Sequence, residues 1–177
     1  MANKILSAET YREYVDNLVK NGSSVVGEGA FSLVFNHPEY NNLVIKVVKK
    51  DARYLEFAKF CQKHPRNSWL PRVMSIKELP FDDSRQSYIA VLEKLSKPKV
   101  SDVQRMIIEL KHEHDLKYTD VHHWFTREGW RQVGSQHLDP DFCNVASYLK
   151  HHYKELDLSV SNFMARGQQL VFNDPVA

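Results

Sequence analysis

Cysteine is scarce. The 177 residues hold two, Cys61 and Cys143, which form no C-x-x-C pair and are too few for a disulfide framework, so a reducing compartment is expected. Long apolar runs are missing as well. No stretch approaches the ~20 residues of a membrane span, and the opening MANKILSAETYREYVD carries acids where a signal peptide needs an apolar core. The expected location is cytoplasmic, or inside a host cell reached without a cleavable signal peptide. Charge of one sign is also lacking, since 24 Lys and Arg against 22 Asp and Glu leave +2. A nucleic-acid partner needs a basic stripe, and KVVKKDAR and KLSKPK are only short clusters, so none is expected. No cysteine stands at zinc-finger spacing from the histidine pairs His122-His123 and His151-His152, and His112 and His114 face different ways on a helix. Trp124 and Trp130 read as core, because no arginine-rich groove accompanies them.

What is present is a globular composition, 42% apolar beside 26% charged. Tyr11, Tyr14, Val15, Leu18 and Val19 recur at helical spacing, with Ser7 as N-cap and Asn21-Gly22 as the stop. The period then shortens. SSVVGEGAFSLVF and NLVIKVV are β-branched and aromatic runs joined by the turn-rich NHPEYNN. DARYLEFAKFCQKH predicts a short helix, and strands follow near Val73–Leu79 and Ser87–Leu92. This makes about five antiparallel strands with one helix after the third. From Glu93 the pattern turns helical. Ser101 and Gln104 form a capping box ahead of Val103, Met106, Ile107 and Leu110. Asp139 and Pro140 open a further helix, and the closing segment is a hairpin turning at Arg166-Gly167. A mostly β front half precedes a mostly α back half.

Two constellations carry chemistry. In GEGAFSLVF, Gly27 and Gly29 sit in a strand–turn–strand. The dinucleotide fingerprint needs a helix there and a Walker loop needs Gly-Lys-Ser/Thr, so what remains is a hairpin whose backbone N–H groups can approach phosphates. Taken alone, those glycines favour an ordinary β-turn. Lys46 lies among Val44, Ile45, Val47 and Val48, where an ammonium is costly unless it meets an anion. A strand lysine downstream of a glycine hairpin is where a nucleotide's α/β-phosphates require a partner. Glu56, on the next helix, is the candidate to hold it. At the other end, Asp157-x-x-x-x-Asn162, a hairpin and Asp174 supply three oxygen donors. Phosphoryl transfer asks for such a set: one carboxylate to orient the attacking hydroxyl, with a carboxylate and an amide oxygen to hold magnesium.

With these residues in this order, the chain resembles the protein kinase superfamily over essentially its whole length. FSLVFNHPEYNNLVIKV and SNFMARGQQLVFNDPV are similar to runs in the early-gene serine/threonine kinases of short-tailed coliphages. The small size is similar to that of minimal kinase effectors secreted by Gram-negative bacteria into host cells. The resemblance implies an α+β, bilobal kinase-like fold: an N-lobe over 1–92, with five antiparallel strands and one helix, and a reduced helical C-lobe over 93–177. It implies ATP and Mg2+ as cofactors, a host protein as substrate and a monomeric enzyme. Gly27, Gly29 and Ser32 would cover the phosphates, Lys46 would pair the α/β-phosphates and Glu56 would pair Lys46. Leu92, Glu93, Lys94 and Leu95 would be the hinge for adenine. Asp157 would be the catalytic base, with Asn162 and Asp174 as magnesium ligands. Three departures stand out. ELD replaces HRD, DPV replaces DFG, and no activation segment or later helices follow in this sequence; if that end is the natural one, a site competent without phosphorylation is expected. A small-molecule phosphotransferase of the aminoglycoside/choline kind, which shares D-x-x-x-x-N, and a catalytically dead binding module are the alternatives.

Overall fold

The computed structural model describes residues 10–37, 39–49, 51–79, 87–101, 103, 140–153 and 162–175. It is an α+β chain whose contacts divide it into two units. The first runs to Pro65 and resumes from Pro71 to Lys94; the second joins Arg66–Leu70 to the chain from Leu95 onward.

The first unit is a five-stranded antiparallel sheet with a helix on each face. Its strands are β1 (Ser24–Gly29), β2 (Ser32–His37), β3 (Tyr40–Lys49), β4 (Val73–Leu79) and β5 (Ser87–Glu93), in the order β1-β2-β3-β5-β4. Helix α1 (Tyr11–Lys20) precedes the sheet and α2 (Ala52–Lys63) connects β3 to β4. The strand and helix pattern expected from the sequence is therefore present, and it is compatible with a small N-lobe-like domain.

Alternation along the strands sorts the side chains by face. Phe35, Ile45, Val47, Ile89 and Leu79 point one way and bury against Tyr14 and Leu18 of α1. The other face carries Lys46 of β3 and Tyr88 of β5, which meet α2 through Tyr54. Helix α2 buries Tyr54, Leu55, Phe57, Ala58 and Cys61, a stripe at helical spacing, behind an N-cap in which Asp51 accepts from the Tyr54 N–H at 3.0 Å.

The start of α1 corrects the sequence reading. Its N-cap is Thr10 rather than Ser7: the Thr10 hydroxyl accepts from the Glu13 N–H, and the Glu13 carboxylate accepts from the Thr10 N–H. This reciprocal Thr-x-x-Glu pair satisfies two terminal donors at once, which a lone Ser7 could not do. Ser101 is corrected too. It lies inside a helical turn that begins at Val100, where the Lys99 carbonyl accepts from the Val103 N–H. The rest of that expected helix and Asp139 fall outside the described residues.

The second unit contains α3 (Pro140–His152) and the hairpin β6 (Phe163–Arg166) and β7 (Gln169–Phe172). Pro140 does occupy the first helical position, and Phe142, Val145 and Leu149 form the buried stripe of α3. The hairpin turns through Gly167, whose φ of 63° lies in the left-handed region that suits glycine. Rings of Trp69, Phe142, Phe163 and Phe172 cluster at centroid distances of 4.8 to 6.3 Å, joining Arg66–Leu70 to helix and hairpin. Arg166 completes the attachment by donating to the carbonyls of Ser68 and Leu70 at 3.0 and 2.9 Å. Among the described residues no helix is long and apolar enough to cross a membrane.

Candidate functional site

Sheet register decides what Lys46 can reach. Gly27 pairs with Val34, Val34 with Lys46, Lys46 with Ala90, and Ala90 with Ile76, so these residues form one row across all five strands on one face. The neighbouring row holds Gly29, Ser32, Val48 and Tyr88. The glycine hairpin and the strand lysine thus share a face, with Val34 between them. Sequence analysis missed Val34, although its place follows from counting alternate residues along β2 from Ser32.

Gly27 and Gly29 are not among the positions with φ in the left-handed region. A Cβ on Gly29 would sit 3.2 Å from the Ser32 hydroxyl oxygen, so a side chain there would crowd that hydroxyl. The hairpin tip is fixed by the Lys49 N–H, which donates to the Phe31 carbonyl at 2.8 Å. The ring of Phe31 itself is exposed.

Lys46 is buried, with 5% of its surface accessible. Its Nζ lies 3.4 Å from the centroid of the Tyr54 ring, on the ring face. Tyr54 in turn stacks on Tyr88 with the two planes 11° apart. An aromatic ring of α2 therefore lies against the ammonium. Glu56, expected to pair with Lys46, is exposed. Lys49, which the sequence places at the solvent side, is half-buried with its Nζ 5.5 Å from the Tyr11 ring.

At the positions expected to form a hinge, hydrogen bonds fix the chain. The Glu93 N–H donates to the Arg72 carbonyl at 3.0 Å, the Arg72 N–H donates to the Glu93 carboxylate at 2.8 Å, and the Lys94 N–H donates to the Asn42 carbonyl at 2.8 Å. Leu92 closes the row of Val44 and Val73. Leu95 begins the second unit.

In the second unit the structure brings Asn162 and Asp174 together. They flank the paired strands β6 and β7, and the Asn162 carbonyl accepts from the N–H groups of Asn173 at 2.8 Å and Asp174 at 3.4 Å. Both residues are half-buried, and one carboxylate oxygen of Asp174 is out of reach of solvent. An amide oxygen and a carboxylate at one hairpin base are hard donors, the type that suits Mg2+, which binds through one or two carboxylates and keeps water or phosphate for its other positions. Among the described residues no group of three or more His, Cys, Asp or Glu could hold a metal. Asp157, the expected base, lies outside the described residues.

Two features escaped the sequence reading. They are the Tyr54 ring against Lys46 and the bonds from Arg166, a residue the sequence reading placed in the hairpin turn. Neither carries a local signal, because the partners of Arg166 are 98 and 96 residues away. Cys61 is no candidate nucleophile: it is fully buried, and burial pushes its thiol well above the usual range. The chain matches no protein-family model, and no curated protein matches it.

Proposed function

We propose that this chain is an ATP- and magnesium-dependent serine/threonine protein kinase, a viral or secreted bacterial effector that phosphorylates a host protein. The observation that carries the reading is Lys46: a buried ammonium on the central strand, in register with the glycine hairpin and on its face. A fixed positive charge in low dielectric attracts phosphate far more strongly than a solvated one. The pair Asn162 and Asp174 adds support, since it offers oxygen donors of the kind magnesium takes.

In this reading the fold is the bilobal kinase fold. Gly27, Gly29 and Ser32 cover the triphosphate, Lys46 binds the α/β-phosphates, and the backbone at Leu92, Glu93, Lys94 and Leu95 meets adenine. Asn162 and Asp174 hold Mg2+, which would neutralise charge on the triphosphate. Asp157 accepts the proton of the substrate hydroxyl as its oxygen bonds to the γ-phosphorus and the bond to the ADP oxygen breaks. Positioning and charge do most of this work, which is why few residues suffice.

The test is incubation with γ-labelled ATP, Mg2+ and host lysate, comparing wild type with Asp157→Ala. Labelled protein bands that vanish in the variant are expected, with phosphoserine or phosphothreonine on hydrolysis. Label confined to low-mass product would point instead to a small-molecule phosphotransferase. Unchanged label in Asp157→Ala would overturn the assigned base.

A further inference from the structure

Backbone angle does not explain the glycine at position 29. Its φ is outside the left-handed region, so a residue with a Cβ could adopt the same conformation. What leaves no room for one is Ser32. The two residues pair across the mouth of the β1–β2 hairpin. A Cβ on Gly29 would stand 3.2 Å from the Ser32 hydroxyl oxygen, tighter than an ordinary van der Waals contact. The hydroxyl therefore occupies the space beside Gly29 that a side chain would take. Among the described residues it has no hydrogen-bond partner, and Ser32 is only half-buried, so the O–H remains an open donor. It also stands on the Lys46 side of the sheet. Ser32 pairs with Val48, two residues on from Lys46, which places it one row nearer the hairpin tip.

We propose that Ser32 selects the triphosphate: its side-chain hydroxyl donates to the γ-phosphate, and Gly29 lacks a side chain so that the hydroxyl can reach it. This rests on the kinase reading of the same site, and adds to it a side-chain donor and a choice between ATP and ADP. With Lys46 at the α/β-phosphates, a donor one row toward the tip, a step of about 6.5 Å along the strand, faces the next phosphate. A hydroxyl donating to an anionic oxygen makes a charge-assisted bond, about twice as strong as a neutral one. In ADP the same hydroxyl finds no acceptor. The bond therefore forms with the nucleotide that reacts and is lost with the one that leaves.

The experiment is calorimetry on the full chain with ATP and with ADP, each in Mg2+, for wild type, Ser32→Ala, Ser32→Thr and Gly29→Ala. Urea midpoints on the same proteins check folding. Ser32→Ala removes one oxygen from a half-buried strand position and is expected to keep the midpoint. Its Mg·ATP affinity should fall at least about tenfold, as for one lost hydrogen bond to a charged group, while Mg·ADP affinity holds. Ser32→Thr keeps the hydroxyl on a residue suited to strands and should retain the wild-type ratio of ATP to ADP affinity. Gly29→Ala pushes the hydroxyl aside, so it should lower that ratio by itself and add nothing in the Ser32→Ala background. A merely structural role for Ser32 would move both nucleotides together and leave their ratio alone. An unchanged ratio in Ser32→Ala overturns the proposal and leaves the kinase reading intact. A wild-type chain with no affinity for Mg·ATP overturns the kinase reading, and this role falls with it.

Discussion

Arg166 offers the sharpest test of how the second unit is held together. Its guanidinium donates to two carbonyls, Ser68 at 3.0 Å and Leu70 at 2.9 Å, and so clamps the segment Arg66–Leu70 to β6. A hydrogen bond to a charged donor contributes about 1.5–3 kcal/mol. Two of them set an upper range of about 3–6 kcal/mol. The residue is only half-buried, so water can replace part of each bond when the side chain is removed. Arg166→Ala is therefore expected to cost about 3 kcal/mol, toward the lower limit. For a chain of this size the matching fall in midpoint is about 6–12 °C. Arg166→Lys retains the charge but not the planar fork, and one ammonium cannot serve two carbonyls with the same geometry, so it should recover less than half of the loss.

The assay is urea and thermal denaturation followed by far-ultraviolet circular dichroism on wild type, Arg166→Ala and Arg166→Lys. Because Asn162 and Asp174 flank the same hairpin, magnesium-dependent nucleotide affinity should fall along with stability. The reasoning fails if Arg166→Ala costs less than about 1 kcal/mol, the value of one ordinary hydrogen bond, or if Arg166→Lys is indistinguishable from wild type.

Three further outcomes follow from other positions. Asp174→Asn keeps the size of the side chain and removes its charge; calorimetry should show at least about a tenfold loss of nucleotide affinity in Mg2+ and none in EDTA, and equal affinity in Mg2+ would remove Asp174 from the metal role. Tyr14 is buried in the α1 cluster, which raises its phenol above the ordinary value of 10.0, and its hydroxyl has no hydrogen-bond partner among the described residues. The neutral form is the one the fold favours, so this contribution is intact below pH 10 and is lost as pH rises further, by about 1.4 kcal/mol per pH unit. Tyr14→Phe should flatten that alkaline limb in urea titrations without loss at pH 7; a loss above about 1 kcal/mol at pH 7 would mean the hydroxyl is hydrogen-bonded. Gly167→Ala, at φ 63° with open space around the new methyl, should cost about 1 kcal/mol from backbone strain alone, read as a shift in urea midpoint.

Strand period was legible because it is local. The alternation in NLVIKVV places Ile45 and Val47 on the α1 face and Lys46 on the other, and the structure agrees. The strand limits Val73–Leu79 were readable from flanking prolines and β-branched residues. Helix caps were less so: Thr10 and Ser7 are both good N-cap types, and only the reciprocal bond with Glu13 chooses between them. The side of α2 that faces the sheet is set by its apolar stripe Tyr54, Leu55, Phe57, Ala58 and Cys61, but which of those side chains meets Lys46 depends on where the helix axis lies over the sheet. The clamp from Arg166 to Ser68 and Leu70 is beyond any local reading, because its value arises from carbonyls in a segment with no regular structure.

Under the proposed reading, in which Asn162 and Asp174 hold Mg2+, the hairpin would be a sound place for the two oxygen donors. Asn162 and Asp174 are held at its open end by four cross-strand pairs, Phe163 with Phe172 through Arg166 with Gln169. A two-residue turn at Gly167 closes it, and the entropy of bringing the donors together is met on folding rather than on binding. Both strands are pinned from outside as well: the Phe172 N–H of β7 donates to the Trp69 carbonyl at 2.9 Å, and Ala165 of β6 exchanges backbone bonds with Ser96 at 2.8 and 3.0 Å. Each of these bonds constrains a strand that ends in a donor. Loosening any of them widens the distribution of distances between the Asn162 amide and the Asp174 carboxylate. Metal affinity in this unit should therefore track hairpin stability even for substitutions, such as Gly167→Ala, that touch neither donor.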